Sequence, residues 1–126
     1  MNSIIPELLV EDLEKTLSFY TKVLGFKTVM SFPEKHPYFA LLKQGKVEIM
    51  LYHRTQFSEE IPKFTNINMG GSLALFIKID KIKQYYTKLK NKAEIIQPLH
   101  KTDYDTQEFS IHDVNGYVLI FSEETS

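Results

Sequence analysis

Three glutamates and one histidine occupy positions from which they could do chemistry. Residues 108–112 read Glu-Phe-Ser-Ile-His, so strand alternation puts Glu108, Ser110 and His112 on one face and Phe109 and Ile111 on the other. By the same logic Glu7 shares a face with Ile5 and Leu9, and Glu48 shares one with Met50 and Tyr52. Carboxylate and imidazole donors suit Mn, Fe or Ni, and a carboxylate alone can serve as a general base. A buried glutamate with no metal needs a hydrogen-bond or cationic partner, or else a raised pKa. The other histidines are His36, beside Pro37 in a turn or at a strand edge, His53 at a strand end, and His100 in a loop. None lies two or four residues from another, so no compact histidine site forms, and the plain reading of each is a surface or locally bonded side chain.

The absence of cysteine excludes disulfides, thiolate catalysis and cysteine-based zinc sites. No G-x-S-x-G, phosphate-binding glycine loop or G-x-G-x-x-G is present, and Gly70-Gly71 reads as part of a linker. Aromatic residues make up 13% of the chain and divide into two groups. Phe19, Tyr20, Phe26, Tyr85 and Phe121 fit helix–sheet packing. Phe32, Tyr38, Tyr52, Phe64, Phe76 and Tyr104 fall at strand ends, on the Glu-bearing faces or in loops, where rings can stack on a flat ligand.

These side chains need a scaffold, and the pattern supplies one. Residues 4–10 form a short apolar strand, and Asp12 stands at a helix N-cap position. Leu13, Thr16, Leu17, Tyr20, Val23 and Leu24 recur at helical spacing and stop at Gly25. Strands follow at 26–32, 38–43 and 46–52, the last two joined by a turn at Gln44-Gly45. Residues 53–71 lose all periodicity and read as a loop between halves. The pattern then restarts with a strand at 72–79, Asp80 as the cap, a helix marked by Ile82, Tyr85, Tyr86 and Leu89, and strands at 93–97, 107–112 and 117–122. Each half reads β-α-β-β-β, and the segment Phe19-Tyr20-Thr21-Lys22-Val23 is echoed by Tyr85-Tyr86-Thr87-Lys88-Leu89.

With 126 residues the chain is expected to form one domain: a first module at about 1–53, a linker at about 54–71 and a second module at about 72–126. A net charge of −1 gives no sign of a nucleic-acid partner. The lysines between 78 and 92 read as a solvated helix face. No apolar run approaches the roughly 18 residues of a membrane span, and the N-terminus lacks the basic and apolar regions of a secretory signal, so a cytoplasmic protein is expected.

Three stretches carry a family resemblance: Pro6-Glu7-Leu8, Glu48-Ile49-Met50-Leu51, and residues 108–117 (EFSIHDVNGY). Together with the paired β-α-β-β-β units they resemble the vicinal-oxygen-chelate superfamily of glyoxalases, extradiol dioxygenases and fosfomycin- and bleomycin-resistance proteins, and most closely the bleomycin-resistance type. There the final turn is usually Asp-Pro-Asp/Asn-Gly; here Val114 replaces the proline, while Asp113 and Gly116 remain to make the turn. The resemblance implies an α+β fold in which two such modules form a curved mixed sheet around a cup, with helices outside, and it implies a homodimer. In the metalloenzymes of the superfamily the cup holds a divalent ion on His and Glu side chains. The matching positions here are Ile5, seven residues before Asp12; Ala74, seven before Lys81; and Ile120, four after Gly116. Alkyl groups offer a cation no lone pair, so no metal and no other cofactor is expected.

The reading that results is a metal-independent small-molecule-binding protein, similar to the antibiotic-resistance members that sequester a drug without catalysis. Its candidate ligand-binding residues are Glu7, Phe32, Tyr38, Glu48, Met50, Tyr52, Phe76, Tyr104, Glu108 and His112. Two alternatives stand beside it. One is a lyase or dioxygenase of the glyoxalase type, with metal relocated to Glu7, Glu48, Glu108 and His112 or with Glu7 or Glu108 as base. The other is a dimeric interaction module with a vestigial cup.

Overall fold

The computed structural model describes residues 1–125. It comprises two compact units, Met1–Met69 and the chain from Gly70 onward. In the first, β1 (Glu7–Val10), β2 (Lys27–Phe32), β3 (Phe39–Gln44) and β4 (Val47–His53) form a mixed sheet of order β1-β4-β3-β2, with β1 parallel to β4 and the remaining pairs antiparallel. One face carries Leu8, Val10, Ala40, Leu42, Ile49 and Leu51, all at most 3% exposed. Leu13, Phe19, Tyr20 and Leu24 are buried with them on the helix. That helix, α1 (Leu13–Ser18), is capped as expected: the Asp12 carboxylate accepts the Lys15 amide at 3.0 Å. It continues into a π-helical stretch, Phe19–Val23, where a plain α-helix was expected. Gly25 ends it at φ +89°.

The expected loop at 53–71 is in fact structured. It opens with α2 (Arg54–Glu60) and continues into a short 3-10 turn at Pro62–Phe64. The cap of α2 is a histidine: His53 Nδ1 accepts the Thr55 amide at 3.2 Å. Phe57 is the only residue this helix buries fully among those described. A helix of two turns with an unusual cap and one apolar anchor leaves little periodicity to read.

The second unit repeats the plan with β5 (Ala74–Lys78), α3 (Ile82–Leu89), β6 (Glu94–Lys101), β7 (Thr106–His112) and β8 (Val118–Glu124), ordered β5-β8-β7-β6 with β5 parallel to β8. The echoed segments 19–23 and 85–89 both close their helical stretches, π-helical in the first unit and α-helical in the second. Asp80 is not the cap of α3. Lys81 takes that position in a left-handed conformation (φ 57°) and supplies no side-chain acceptor. The Glu123 carboxylate of β8 accepts the Lys81 and Ile82 amides instead, at 2.9 and 3.0 Å. Those two bonds hold the Glu123 carboxyl below its ordinary pKa.

Two further expectations change. β6 runs on through Pro98 to Lys101, so His100 belongs to a strand rather than a loop. β6 is an edge strand with register shifts at 95–97 and 97–100, the setting in which a sheet tolerates proline. Gly70 is not a free linker residue. It sits at φ +89° with its Cα against the β7–β8 turn, and a Cβ there would lie 2.8 Å from the Gly116 carbonyl oxygen. The turn itself is tied by Asp113, whose Oδ1 accepts the Asn115 and Tyr117 amides at 2.8 and 2.9 Å. Among the described residues no helix is long and apolar enough to cross a membrane.

Candidate functional site

Alternation in β7 works as the sequence implied. Phe109 turns toward α3, in ring contact with Tyr86 (5.0 Å) and stacked with Phe121 (5.0 Å), while Tyr85 closes on Phe121 at 5.1 Å. Glu108, Ser110 and His112 therefore face the other way. The antiparallel register sets Ser122 opposite Glu108, and the parallel pairing sets Lys78 beside Ser122. Glu108 is only 6% exposed. Its charge is met by three hydroxyls: Ser122 Oγ donates to Oε2 at 2.8 Å, Thr106 Oγ to the same oxygen at 3.1 Å, and Tyr104 OH to Oε1 at 3.0 Å. The bond to Glu108 pushes the Tyr104 phenol pKa up.

Tyr104, Thr106 and Ser122 line a cleft of about 680 Å³, together with Phe76, Lys78 and the carboxylates of Asp80, Asp105, Glu123 and Glu124. Phe76 is 54% exposed and Tyr104 64% exposed, so both rings are available to a ligand. The cleft thus gathers Phe76 and Tyr104, with Glu108 directly behind its hydroxyls. His112 stands apart. It lies four positions beyond Glu108, about 13 Å along a strand, and its Nδ1 is 3.1 Å from Glu94 Oε1 on the neighbouring strand.

In the first unit the face away from α1 carries Glu7, Met50, Tyr52, Phe32 and Glu48, placed by the β1–β4, β2–β3 and β3–β4 registers. Phe32 meets Tyr38 edge-on at 5.8 Å, Tyr38 stacks on Tyr52 at 5.9 Å, and Phe57 of α2 closes on Tyr52 at 5.1 Å. Tyr52 OH donates to Glu60 Oε2 at 2.7 Å. That bond, followed by burial, pushes the Tyr52 pKa up to about 12. Burial, and then the nearby Glu60 carboxylate, raises the Glu7 pKa. Glu7, Tyr38, Met50 and Tyr52 thus form one neighbourhood, part of it roofed by α2. Glu48 lies outside it, opposite Lys43.

The donor set does not fit a divalent ion. Ile5, Ala74 and Ile120, at the positions the sequence resemblance assigns to metal ligands, have side chains with no donor atom. Among the described residues no three His, Asp or Glu side chains are grouped to hold an ion. Glu108 and His112 are each bonded elsewhere. The sequence reading missed Thr106, Ser122, Lys78 and Glu60. The signal for Ser122 was its place on a strand opposite β7, but alternation alone gives no register. Glu60 lay in a segment with no legible structure.

A family model described as the glyoxalase/bleomycin resistance protein/dioxygenase superfamily matches residues 3–121. No curated protein matches the sequence. Among solved structures, a glyoxalase/bleomycin resistance protein/dioxygenase from Nocardioides is similar at a TM-score of 0.80 and 18% identity, covering 100% of this chain and 86% of the other. TioX from Micromonospora superposes at 0.78 with 17% identity, covering 98% of this chain and 99% of that one. A lactoylglutathione lyase from Agrobacterium tumefaciens gives 0.76 and 17%, with 98% and 94% covered. At these identities the likeness is one of fold.

Proposed function

Because the chain belongs to the glyoxalase/bleomycin resistance protein/dioxygenase superfamily, we propose that it binds a small organic molecule without a metal ion, as a sequestering protein rather than a catalyst. The observation that carries this reading is the trio Ile5, Ala74 and Ile120, three side chains that cannot coordinate a cation. Two features of the second unit support it. The cleft of about 680 Å³ falls in the usual size range of small-molecule sites. Its two exposed rings, Phe76 and Tyr104, offer stacking surface beside polar groups whose geometry is fixed by Glu108.

The test pairs two measurements on protein purified without chelators or an affinity metal. Elemental analysis is expected to find no stoichiometric transition metal. A thermal-shift screen of small molecules is expected to yield compounds that raise the melting temperature, since a ligand at a hundred times its Kd adds about 2.7 kcal/mol. About one Mn, Fe, Ni or Zn per chain would overturn the reading and redirect attention to lyase or dioxygenase chemistry.

A further inference from the structure

The proton inventory of the cleft selects its ligand. A hydroxyl has one hydrogen to donate. Tyr104 and Ser122 give theirs to Glu108, and Thr106 gives its own either to Glu108 at 3.1 Å or to Thr102 Oγ at 2.7 Å, so toward the cleft these groups present oxygen lone pairs only. The floor is therefore a surface of acceptors. Around it stand four carboxylates, Asp80, Asp105, Glu123 and Glu124, against a single ammonium, Lys78. The cleft is thus locally acidic in a chain whose net charge is only −1. Among the polar side chains of the lining, a ligand that brought further acceptors or negative charge would find a donor only in Lys78.

We propose that the cleft of the second unit takes a flat organic cation rich in N–H donors, of the amidinium or guanidinium class, with its donors on the hydroxyl floor and its ring against Phe76 and Tyr104. Planar cations suit both surfaces: N–H groups in the plane reach acceptors, and the delocalised face stacks on aromatic rings. The acids at the rim attract such a ligand over distance. Lys78 opposes it. This inference rests on the small-molecule-binding reading above and assigns its substrate class.

Calorimetric titration of the full chain with benzamidine, benzamide and benzoate is the test. The three share a ring and differ in charge and donor count. Benzamidine is expected to bind at millimolar concentration or better, about tenfold more tightly than benzamide, the advantage of charge-assisted hydrogen bonds over neutral ones. Benzoate is expected to bind more weakly still. Two exposed substitutions set the sign: Lys78→Met should tighten benzamidine severalfold by removing the like charge, and Asp105→Asn should weaken it. Asparagine accepts the left-handed backbone that Asp105 adopts (φ 62°), so the fold is kept. Benzoate or neutral compounds binding as well as benzamidine, or Lys78→Met weakening it, would overturn the assigned class while leaving the binding-protein reading in place. Failure of every small molecule in the screen to bind would overturn both.

Discussion

Gly70 and Gly116 offer a controlled experiment in backbone strain. Their φ angles are nearly identical, +89° and +90°, so replacing either by alanine forces a Cβ into the same disfavoured region. That strain costs about 1–2 kcal/mol for any L side chain. At Gly116 a Cβ meets nothing within 4 Å, so strain is the whole penalty. At Gly70 the added Cβ lies 2.8 Å from the Gly116 carbonyl oxygen and 3.1 Å from its carbon. Both are backbone atoms that cannot swing aside like a side-chain tip, and relieving such overpacking costs a further 1–3 kcal/mol or so. Gly116→Ala should therefore lose about 1–2 kcal/mol and Gly70→Ala about 2–5 kcal/mol. Both residues lie in the second unit, so urea unfolding followed by circular dichroism compares them within the same unit. In thermal melts the difference amounts to roughly 4 °C per kcal/mol for a chain of this size. If the two variants agree within about 0.5 kcal/mol, the close approach of Gly70 to the turn has no energetic content.

Glu108→Ala should destabilise the protein by about 2–4 kcal/mol, because it strands the buried Ser122 hydroxyl and removes three charge-assisted bonds; a loss under about 1 kcal/mol in urea titration would refute the role given to this carboxylate. Glu7 has a raised pKa, so its contribution to stability is full below the ordinary carboxyl range and is lost as pH rises through the raised value. Glu7→Gln is accordingly expected to raise stability at neutral pH by less than about 1 kcal/mol given solvent screening, read in urea unfolding, and to give no gain below about pH 4. Burial pushes Tyr85 from 10.0 up to about 12, so stability present below pH 10 should fall as pH climbs through 12, and Tyr85→Phe should flatten that decline in alkaline unfolding curves.

Much of this structure was legible in the chain, and the exceptions share a cause. Strand alternation located Glu108 and His112 on the face away from the helix, and helical spacing found both main helices, because each signal is written by neighbouring residues. What alternation cannot supply is register. Without it the pairing of Glu108 with Ser122, and of His112 with Glu94, stayed hidden. Pro98 ended the strand reading too early, because a proline does not announce that its strand lies at a sheet edge. α2 escaped because its cap is a histidine and its anchor a single phenylalanine. Alternation put Tyr52 on a face with Glu48 and Met50, but only the β1–β4 register joins that face to Glu7, and its partner Glu60 comes from that unseen helix.

The two helices, for all the likeness of their sequences, complete themselves at different times. Asp12 caps α1 from three residues away, within a few residues of emerging from a ribosome. α3 waits for Glu123, more than 40 residues further along the chain. An eight-residue helix is marginal on its own, and β5 pairs with β8 rather than with any strand made earlier. Vectorial synthesis therefore splits the repeat in two: the first half can consolidate while the second is still being made, whereas the second stays open until nearly its last strand has been translated. During that interval Ile82, Leu89 and the apolar face of β7, all buried in the finished fold, are exposed to whatever chaperone or neighbouring chain meets them first.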